Sequence, residues 1–485
     1  MKKSTTKKGG QGRIQSLADE LKKQKKELLK KASSVDLQRE LMEVMKERVK
    51  PIPMFSSVGN LKIDDMMPLI NAEIERVSLG CLRVPGYLPE LSTNQEIFMY
   101  VGTHWCKVEN SKFCELVKEC CRRMGLPQGK LSRAKFMADV YHNVMAHLAK
   151  SWSRSKPEGV AWLNLQNGTL EVDAEGKPRL REHRQEDCLL NCLPFAYDEK
   201  AESPLFQDFI NRVLPDVECQ MVLKEYVANA LVGGAVTLQV MLILLGSGAN
   251  GKSVLLEVIG ALAGAENVSK ISLDELTEDP NALLRFEHKL LNLSSESGQK
   301  WNMTTMKCLT SHEPVVVKSL YQNKRETTDY GYMIAAMNEL PQAEKTDAFF
   351  RRLKILPFDA VIKPDEADPA LAAKLKGQLP GILNWFLQGL PGLLRRQRLS
   401  QCQVCNDELQ KYRVESDFVH LFVTECCRRG GEVLGSTLYK EYRSFCEDCG
   451  VRHTVNLLTF YQRLKDLNVP SFKRNHQRAF GLTLQ

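Results

Sequence analysis

The stretch "LLGSGANGKS", Leu244 to Ser253, restricts the fold more than any other part of the chain. Gly246, Gly251, Lys252 and Ser253 fit the spacing G-x-x-x-x-G-K-[ST], a loop whose backbone N–H groups turn toward phosphate oxygens. The mechanism needs a buried strand before the loop and a helix after it. "VMLILL" precedes it as an apolar run, and "SVLLEVIGALAG" follows with an apolar face, so the order is strand, loop, helix. Gly246, Ser247, Gly248, Ala249, Asn250, Gly251, Lys252, Ser253 and Val254 form the candidate cradle. Lys252 would reach the β- and γ-phosphates and Ser253 would offer its hydroxyl to Mg²⁺, which makes ATP and Mg²⁺ the expected cofactors.

A chain of 485 residues with 43% hydrophobic residues has room for several cores. The reading is an α/β, multidomain protein: a basic, helix-prone arm over 1–50, a mixed α+β module over 51–204, a helical collar over 205–236, a nucleotide-binding core with a helical lid over 237–400, and a C-terminal domain over 401–485. Residues 1–50 carry 15 Lys/Arg against 7 Asp/Glu, which equals the +8 excess of the whole chain. That arm reads either as a phosphate-contacting segment or as a solvated helix. No run of 18 apolar residues occurs and the first residues lack a secretory apolar stretch, so the expectation is a cytoplasmic protein, in a bacterial host, without a membrane partner. Fifteen cysteines, an odd number, point to reduced thiols. In the α+β module, "EIFMYVGTHWCKV" reads as a strand and "VAWLNLQNGTLEV" as strands around an Asn167-Gly168 turn, with "FCELVKECCRRMG" and "RAKFMADVYHNVMAHLAKSW" as helices between them.

Hydrolysis needs more than a cradle. "KLLNLSSE" ends in Glu296, placed to help hold Mg²⁺ or to polarise the attacking water, with Ser294 and Ser295 where many such enzymes carry an aspartate. "YGYMIAAMNELP" reads as a second buried strand and closes on Asn338, whose amide can orient water or sense the γ-phosphate. "FFRRLKILPF" follows, with Arg351 and Arg352 adjacent. An arginine reaching a neighbour's γ-phosphate contributes about 10³ to 10⁵ in rate and would imply a ring.

"GSGANGKS", "KLLNLSSE", "YMIAAMNELP" and "AFFRRLKILPF", in this order, resemble the superfamily 3 helicases, in particular the phage/plasmid primase-helicase group that includes the poxvirus helicase. The likeness runs over roughly residues 90–485, taking in "FMYVGTHWCKV" and "LNLQNGTLEV". It implies an AAA+ core working as a hexamer that hydrolyses ATP at subunit interfaces and moves along one DNA strand held in a central channel, usually 3′ to 5′. It also implies roles residue by residue: Lys252 and Ser253 for phosphate and Mg²⁺, Glu296 as the Walker B carboxylate, Asn338 as the sensor, and Arg351 or Arg352 as the finger. The chain departs from the family in reading His312 where a glycine, free to take φ > 0, is common. Residues 1–240 hold no paired-aspartate primase motif or zinc cluster, so a separate primase or polymerase is the expected partner.

Two regions read as DNA contacts. In "PVVVKSLYQNKRETTDYGYMIAAMN" a hairpin would carry Lys318 and Tyr321 on its leading strand and Lys324 and Arg325 near its tip, suited to sequence-independent phosphate contact. At the C-terminus, "DFVHLFVTECCRRGG", "STLYKEYRSFCEDCG" and "NLLTFYQRLKDLN" read as three helices, followed by the extended "SFKRNHQRAFGLTL". Three helices and a wing describe a winged helix. Arg463 and Lys465 on its third helix, with Lys473, Arg474 and Arg478 on the wing, would dock on duplex origin DNA. Cys402/Cys405 and Cys446/Cys449, the latter near His453, are C-x-x-C pairs of a kind that can hold zinc, although they sit in or beside helices and lack a zinc-ribbon layout. The leading expectation is an ATP-dependent replicative helicase of a phage, plasmid or mobile element. The alternatives are an ATP-switched initiator without processive unwinding and an ATPase that remodels proteins.

Overall fold

Apolar residues in the chain recur with two periods, and the computed structural model shows what each builds. It describes residues 34–57, 62–85, 95–150, 157–295, 301–318, 324–340, 347–415, 417–449, 454–474 and 477–485. Contacts group these residues into two compact units, one through Glu199 and one from Lys200 onward.

In the first unit, β1 (Leu82–Pro85), β2 (Ile97–Tyr100), β3 (Trp105–Val108) and β4 (Ala149–Lys150) make a sheet in the order β3-β2-β1-β4. The segment read as one strand, "EIFMYVGTHWCKV", is a hairpin. Tyr100 pairs with Trp105, and Gly102, at φ 89°, turns the chain between them. Helices Ile63–Ser78, Asn110–Arg123 and Ala134–His147 bury Ile70, Ile74, Phe113, Val117, Val140 and Val144 in one core. The last helix is shorter than its sequence suggested, because the chain leaves it at Leu148 to pair β4 with β1. Helix Ser34–Arg48, the described part of the basic arm, buries Met42 and Met45 in the same core. A meander follows: β5 (Ala161–Leu165), β6 (Gly168–Val172) and β7 (Pro178–Arg181). Leu165 pairs with Gly168, so the two-residue turn is Gln166-Asn167, one position before the expected Asn167-Gly168. The Asn167 amide is spent on Tyr197, donating to its carbonyl oxygen at 2.9 Å and accepting its N–H at 2.8 Å.

The second unit is built on a parallel sheet. β8 (Met241–Leu245), β9 (Val268–Ser269), β10 (Leu291–Ser294), β13 (Tyr332–Met337) and β14 (Leu353–Pro357) take the order β14-β8-β13-β10-β9, while β11 (Val315–Val317) and β12 (Arg325–Thr327) pair separately as an antiparallel hairpin. β8, β10 and β13 are buried almost throughout, which is why they read as unbroken apolar runs rather than alternating ones. β8 sends its connection toward β9 at one edge and β13 sends its connection toward β14 at the other. Connections leaving adjacent strands in opposite directions open a crevice at the carboxyl ends of those strands.

The stretch read as a helical collar is two helices, Pro204–Val213 and Val217–Leu231, interrupted by Pro215; the Asp216 carboxylate caps the second by accepting from the Cys219 N–H at 2.7 Å. Tyr226 ties this helix to the sheet, its hydroxyl donating to the Met333 carbonyl oxygen at 2.8 Å. Glu225 is fully buried and accepts from Ser400 N–H at 2.7 Å, from Ser400 Oγ at 2.6 Å and from the Arg396 guanidinium. The final segment runs helix Phe418–Cys426, β15 (Cys427–Leu434), helices Gly435–Asp448 and Leu457–Asp466, β16 (Ser471–Arg474) and β17 (Gln477–Leu484), with a three-stranded antiparallel sheet in the order β15-β17-β16. Residues "CRRGG", read as the end of the first helix, belong to β15. Gly430 and Gly431 at φ 102° and 83° cannot continue a helix, and the strand shifts register between Arg429 and Val433.

Removing Arg396 would leave the Glu225 carboxylate buried with two neutral donors from one residue. Arg396→Ala should lower the stability of the second unit by about 3 kcal/mol, the scale of breaking a buried pair from one side. Denaturant unfolding followed by tryptophan fluorescence checks this; a change under about 0.5 kcal/mol, the range of ordinary surface substitutions, would mean the ion pair contributes nothing.

Candidate nucleotide-binding site

The loop between β8 and helix Lys252–Ala263 emerges at the carboxyl edge of the sheet. Left-handed backbone at Gly248, Ala249 and Gly251, with φ of 107°, 47° and 85°, curls it over the start of the helix. At Gly246 a side chain has no room: a Cβ would lie 2.4 Å from the Phe358 carbonyl oxygen and 2.2 Å from Asn250 Nδ2. The space belongs to a hydrogen bond from Asn250 Nδ2 to Phe358 O at 2.8 Å, which fastens the loop to the chain leaving β14. Ile362 N–H donates to Ala249 O at 2.9 Å and strengthens that attachment.

Lys252 is buried, at 6% exposure, and its ammonium group donates to Gly246 O at 2.6 Å, Asn250 Oδ1 at 2.8 Å and Asn338 Oδ1 at 3.4 Å. All three acceptors are neutral oxygens. Burial accordingly lowers the Lys252 pKa from its ordinary value. A buried cation with only neutral partners favours an anion beside it. Ser253 and Ser247 are exposed beside Lys252 and Val254 is half-buried, so the helix presents its first turn and the Ser253 hydroxyl to the crevice. The donor set fits a polyphosphate: an ammonium, loop and helix-end N–H groups, and one hydroxyl for a hard cation.

The structure thus brings Lys252 and Asn338 together across 86 residues of chain, because Gly246 N–H donates to Met337 O at 3.1 Å and aligns the ends of β8 and β13. β10 lies beside β13 with Ser294 opposite Ala335, and Ser294 is buried at the strand end. Glu296, two residues further on, lies outside the described residues.

Arg351 and Arg352 fall at the other end of the sheet. Arg352 O accepts from Met241 N–H at 2.9 Å, at the start of β8, whereas the loop leaves its end. Four residue steps from Met241 to Leu245, at about 3.3 Å each, separate the two levels by roughly 13 Å. Arg352 is buried and committed inward, donating to Ala348 O at 2.8 Å and Ser311 Oγ at 3.1 Å; Arg351 is exposed.

Three separate stretches of the chain match known protein families. Residues 91–215 match the family described as D5 N terminal like, residues 414–483 match Poxvirus D5 protein-like, and residues 244–352, from the loop to Arg352, match a family of unknown function (DUF5906). Among curated relatives, "Putative helicase L207/L206" of Acanthamoeba polyphaga mimivirus is 25% identical over 228 residues, 44% of this chain and 23% of that protein. "Putative primase C962R" of African swine fever virus is 22% identical over 294 residues, 54% of this chain and 30% of that protein. Over these stretches the chain is similar to viral proteins of the primase-helicase type. It spans less than a third of the length of those two relatives. Among solved structures, the apo C-terminal region of NrS-1 aligns with a TM-score of 0.43 and 12% identity over 84% of this chain and 98% of that one. No helix among the described residues is long and apolar enough to cross a membrane.

The hairpin expected from sequence is present as β11 and β12, with Val317 opposite Arg325. Lys318 and Lys324 are exposed where the strands end. Tyr321 lies outside the described residues. Arg325 is the first residue of β12, and its guanidinium grips both oxygens of Glu287, a buried carboxylate, donating from Nη1 at 2.6 Å and from Nη2. His312 takes the left-handed conformation that suits glycine, at φ 53°, and its ring lies 4.6 Å from Tyr332 and stacked 5.5 Å from Tyr330. Aromatic packing therefore holds a turn that the residue type alone disfavours, and burial lowers the His312 pKa. In the C-terminal segment Arg463, Lys465, Lys473 and Arg478 are exposed. Lys473 faces Arg478 across β16 and β17, the Arg478 guanidinium sits 5.5 Å from the Tyr461 ring centre, and Arg474 ends β16. Cys446 is buried in its helix and Cys449 is exposed at the helix end, with His453 outside the described residues.

Because a Cβ at Gly246 displaces the Asn250–Phe358 bond, Gly246→Ala should weaken ATP binding by about tenfold or more, about 1.4 kcal/mol. Titration with a fluorescent ATP analogue measures it, and unaltered affinity would mean that the loop geometry does not set the site.

Proposed function

We propose that the second unit is an AAA+ ATPase motor and that the protein is a replicative DNA helicase working as a ring, its assembly set by the same contacts that complete its ATP sites.

 We take the ring to be a hexamer that moves along one DNA strand 3′ to 5′, as in the family this sequence resembles. The observation that carries this reading is the convergence of the Lys252 ammonium and Asn338 Oδ1, 3.4 Å apart at the carboxyl edge of a parallel sheet. A cradle lysine and a polar amide from the adjacent strand meet where a γ-phosphate would lie between them, and that pairing serves hydrolysis better than mere binding.

In this reading Lys252 and the loop N–H groups bind the phosphates, and Ser253 with Glu296 holds Mg²⁺, which neutralises charge developing on the phosphate oxygens. Glu296 orients the attacking water, and Asn338 keeps Lys252 aimed at the γ-phosphate. Arg351 is the residue we assign as the finger. It is exposed and sits at the opposite end of the sheet from its own loop, so the γ-phosphate it serves is a neighbour's; Arg352 is buried and anchors the turn. Lys318 and Lys324 contact the DNA backbone in the channel, while Arg325 braces their hairpin through Glu287. The C-terminal segment, with the order helix, strand, helix, helix, strand, strand, is read as a winged helix that offers Arg463, Lys465, Lys473, Arg474 and Arg478 to duplex DNA. A separate primase or polymerase completes the replication machinery.

Two outcomes test the assignments. Lys252→Ala and Arg351→Ala proteins should each lack ATPase activity, and mixing them should restore part of it, since some interfaces then hold an intact loop and an intact arginine. No recovery at any ratio contradicts a finger acting between subunits. Lys318→Ala with Lys324→Ala should reduce the slope of log affinity against log salt for single-stranded DNA by about 1.4, the share of two phosphate contacts. An unchanged slope from binding titrations at several salt concentrations removes these lysines from the DNA path.

A further inference from the structure

Three cysteines far apart in sequence meet inside the second unit. Cys219 lies in the first turn of helix Val217–Leu231, and Cys402 and Cys405 lie at the start of helix Gln403–Glu415. All three are buried, at 0%, 0% and 1% exposure. Cys219 Sγ is 3.4 Å from Cys402 Sγ and 3.9 Å from Cys405 Sγ, and the three sulfurs lie within 4.8 Å of one another.

These separations have a geometric meaning. A tetrahedral zinc with Zn–S bonds of about 2.3 Å holds its sulfurs about 3.8 Å apart, whereas a disulfide brings two of them to about 2.05 Å. The observed distances bracket the first value and are far from the second. Cys405 N–H also donates to Cys402 Sγ at 3.4 Å, a bond that stabilises negative charge on that sulfur. Oxygen donors stand on one side of the cluster: carboxylate oxygens of Asp216 and Glu218 lie within 4.8 Å of Cys402 Sγ and of each other.

We propose that Cys219, Cys402 and Cys405 form a structural Zn²⁺ site, with an oxygen donor from the Asp216 side, carboxylate or water, in the fourth position. Binding converts the three thiols to thiolates and releases their protons to solvent. The metal joins the helix that carries Glu225 and Tyr226 to the helix that packs against β14. Tyr412 on that second helix meets Phe350 edge-on at 5.6 Å, and Phe350 immediately precedes Arg351, so the metal fixes the base on which the exposed arginine stands. This site is independent of whether the loop hydrolyses ATP.

The test uses the full chain purified without chelator, with metal content measured by mass spectrometry. The expected result is about one zinc per chain, retained in Cys446→Ser/Cys449→Ser and lost in Cys219→Ser/Cys402→Ser/Cys405→Ser. Should the triple variant fail to fold, Co²⁺ exchanged into the wild-type protein decides the matter: intense d–d bands and a thiolate-to-cobalt charge-transfer band report a tetrahedral, sulfur-rich centre. Chelation should also lower the melting temperature of the zinc-loaded protein. Wild-type protein that carries no zinc and gives no such cobalt bands, a Cys219–Cys402 disulfide in freshly isolated protein, or zinc retained in the folded triple variant would each overturn the proposal.

Discussion

The ammonium group of Lys252 is buried among three neutral oxygens, and the geometry of the second unit follows from holding it there. A charge in that setting is costly unless an anion joins it, so the position is held by surrounding structure rather than by a local energy minimum. The parallel register of β8 with β13 delivers Asn338 to the lysine, and the Asn250–Phe358 bond holds the loop against the chain leaving β14. Helix Pro204–Val213 closes the other side, where a Cβ at Gly251 would come within 2.8 Å of Val213 Cγ1. The left-handed backbone of Ala249, a conformation that costs a non-glycine residue energy, is thus over-determined from several directions, the condition under which strained backbone persists at a functional site.

The opposite end of the sheet is held by a second set of interactions. Tyr226 reaches β13, and Tyr412 with Arg413 packs on Phe350. Next to Phe350, Arg352 is buried, donating to Ala348 O and Ser311 Oγ, and Arg351 is exposed. Separating the lysine and the arginine by the length of a strand makes chemistry that needs both depend on two copies of the chain. That separation is the physical basis for reading the protein as a ring.

The candidate site was legible in the sequence where covalent spacing or apolar runs carried the signal. The loop from Gly246 to Ser253 and the strand ending before Asn338 could be read directly, since a fully buried parallel strand leaves an unbroken apolar run. Turn positions were harder. The Gln166-Asn167 turn differs by one residue from the expected one because Gly168 is needed inside β6, where a Cβ would meet the Arg181 carbonyl oxygen at 2.4 Å. β15 was hidden in an apparent helix whose apolar spacing continued into "CCRRGG". Long-range partners left no mark at all. Nothing near Arg325 announces Glu287, 38 residues earlier, and nothing near Cys402 and Cys405 announces Cys219, 183 residues before Cys402.

The central claim is that ATP bound at Lys252 drives strand separation. Its most direct test is the unwinding of a forked DNA with one labelled strand, followed in time with the wild-type protein and with Lys252→Ala. The account predicts ATP-dependent displacement of the labelled strand by the wild type and none by the variant, with both proteins still assembled. ATP hydrolysis by the wild type that leaves the fork intact, or displacement that survives Lys252→Ala, would contradict it.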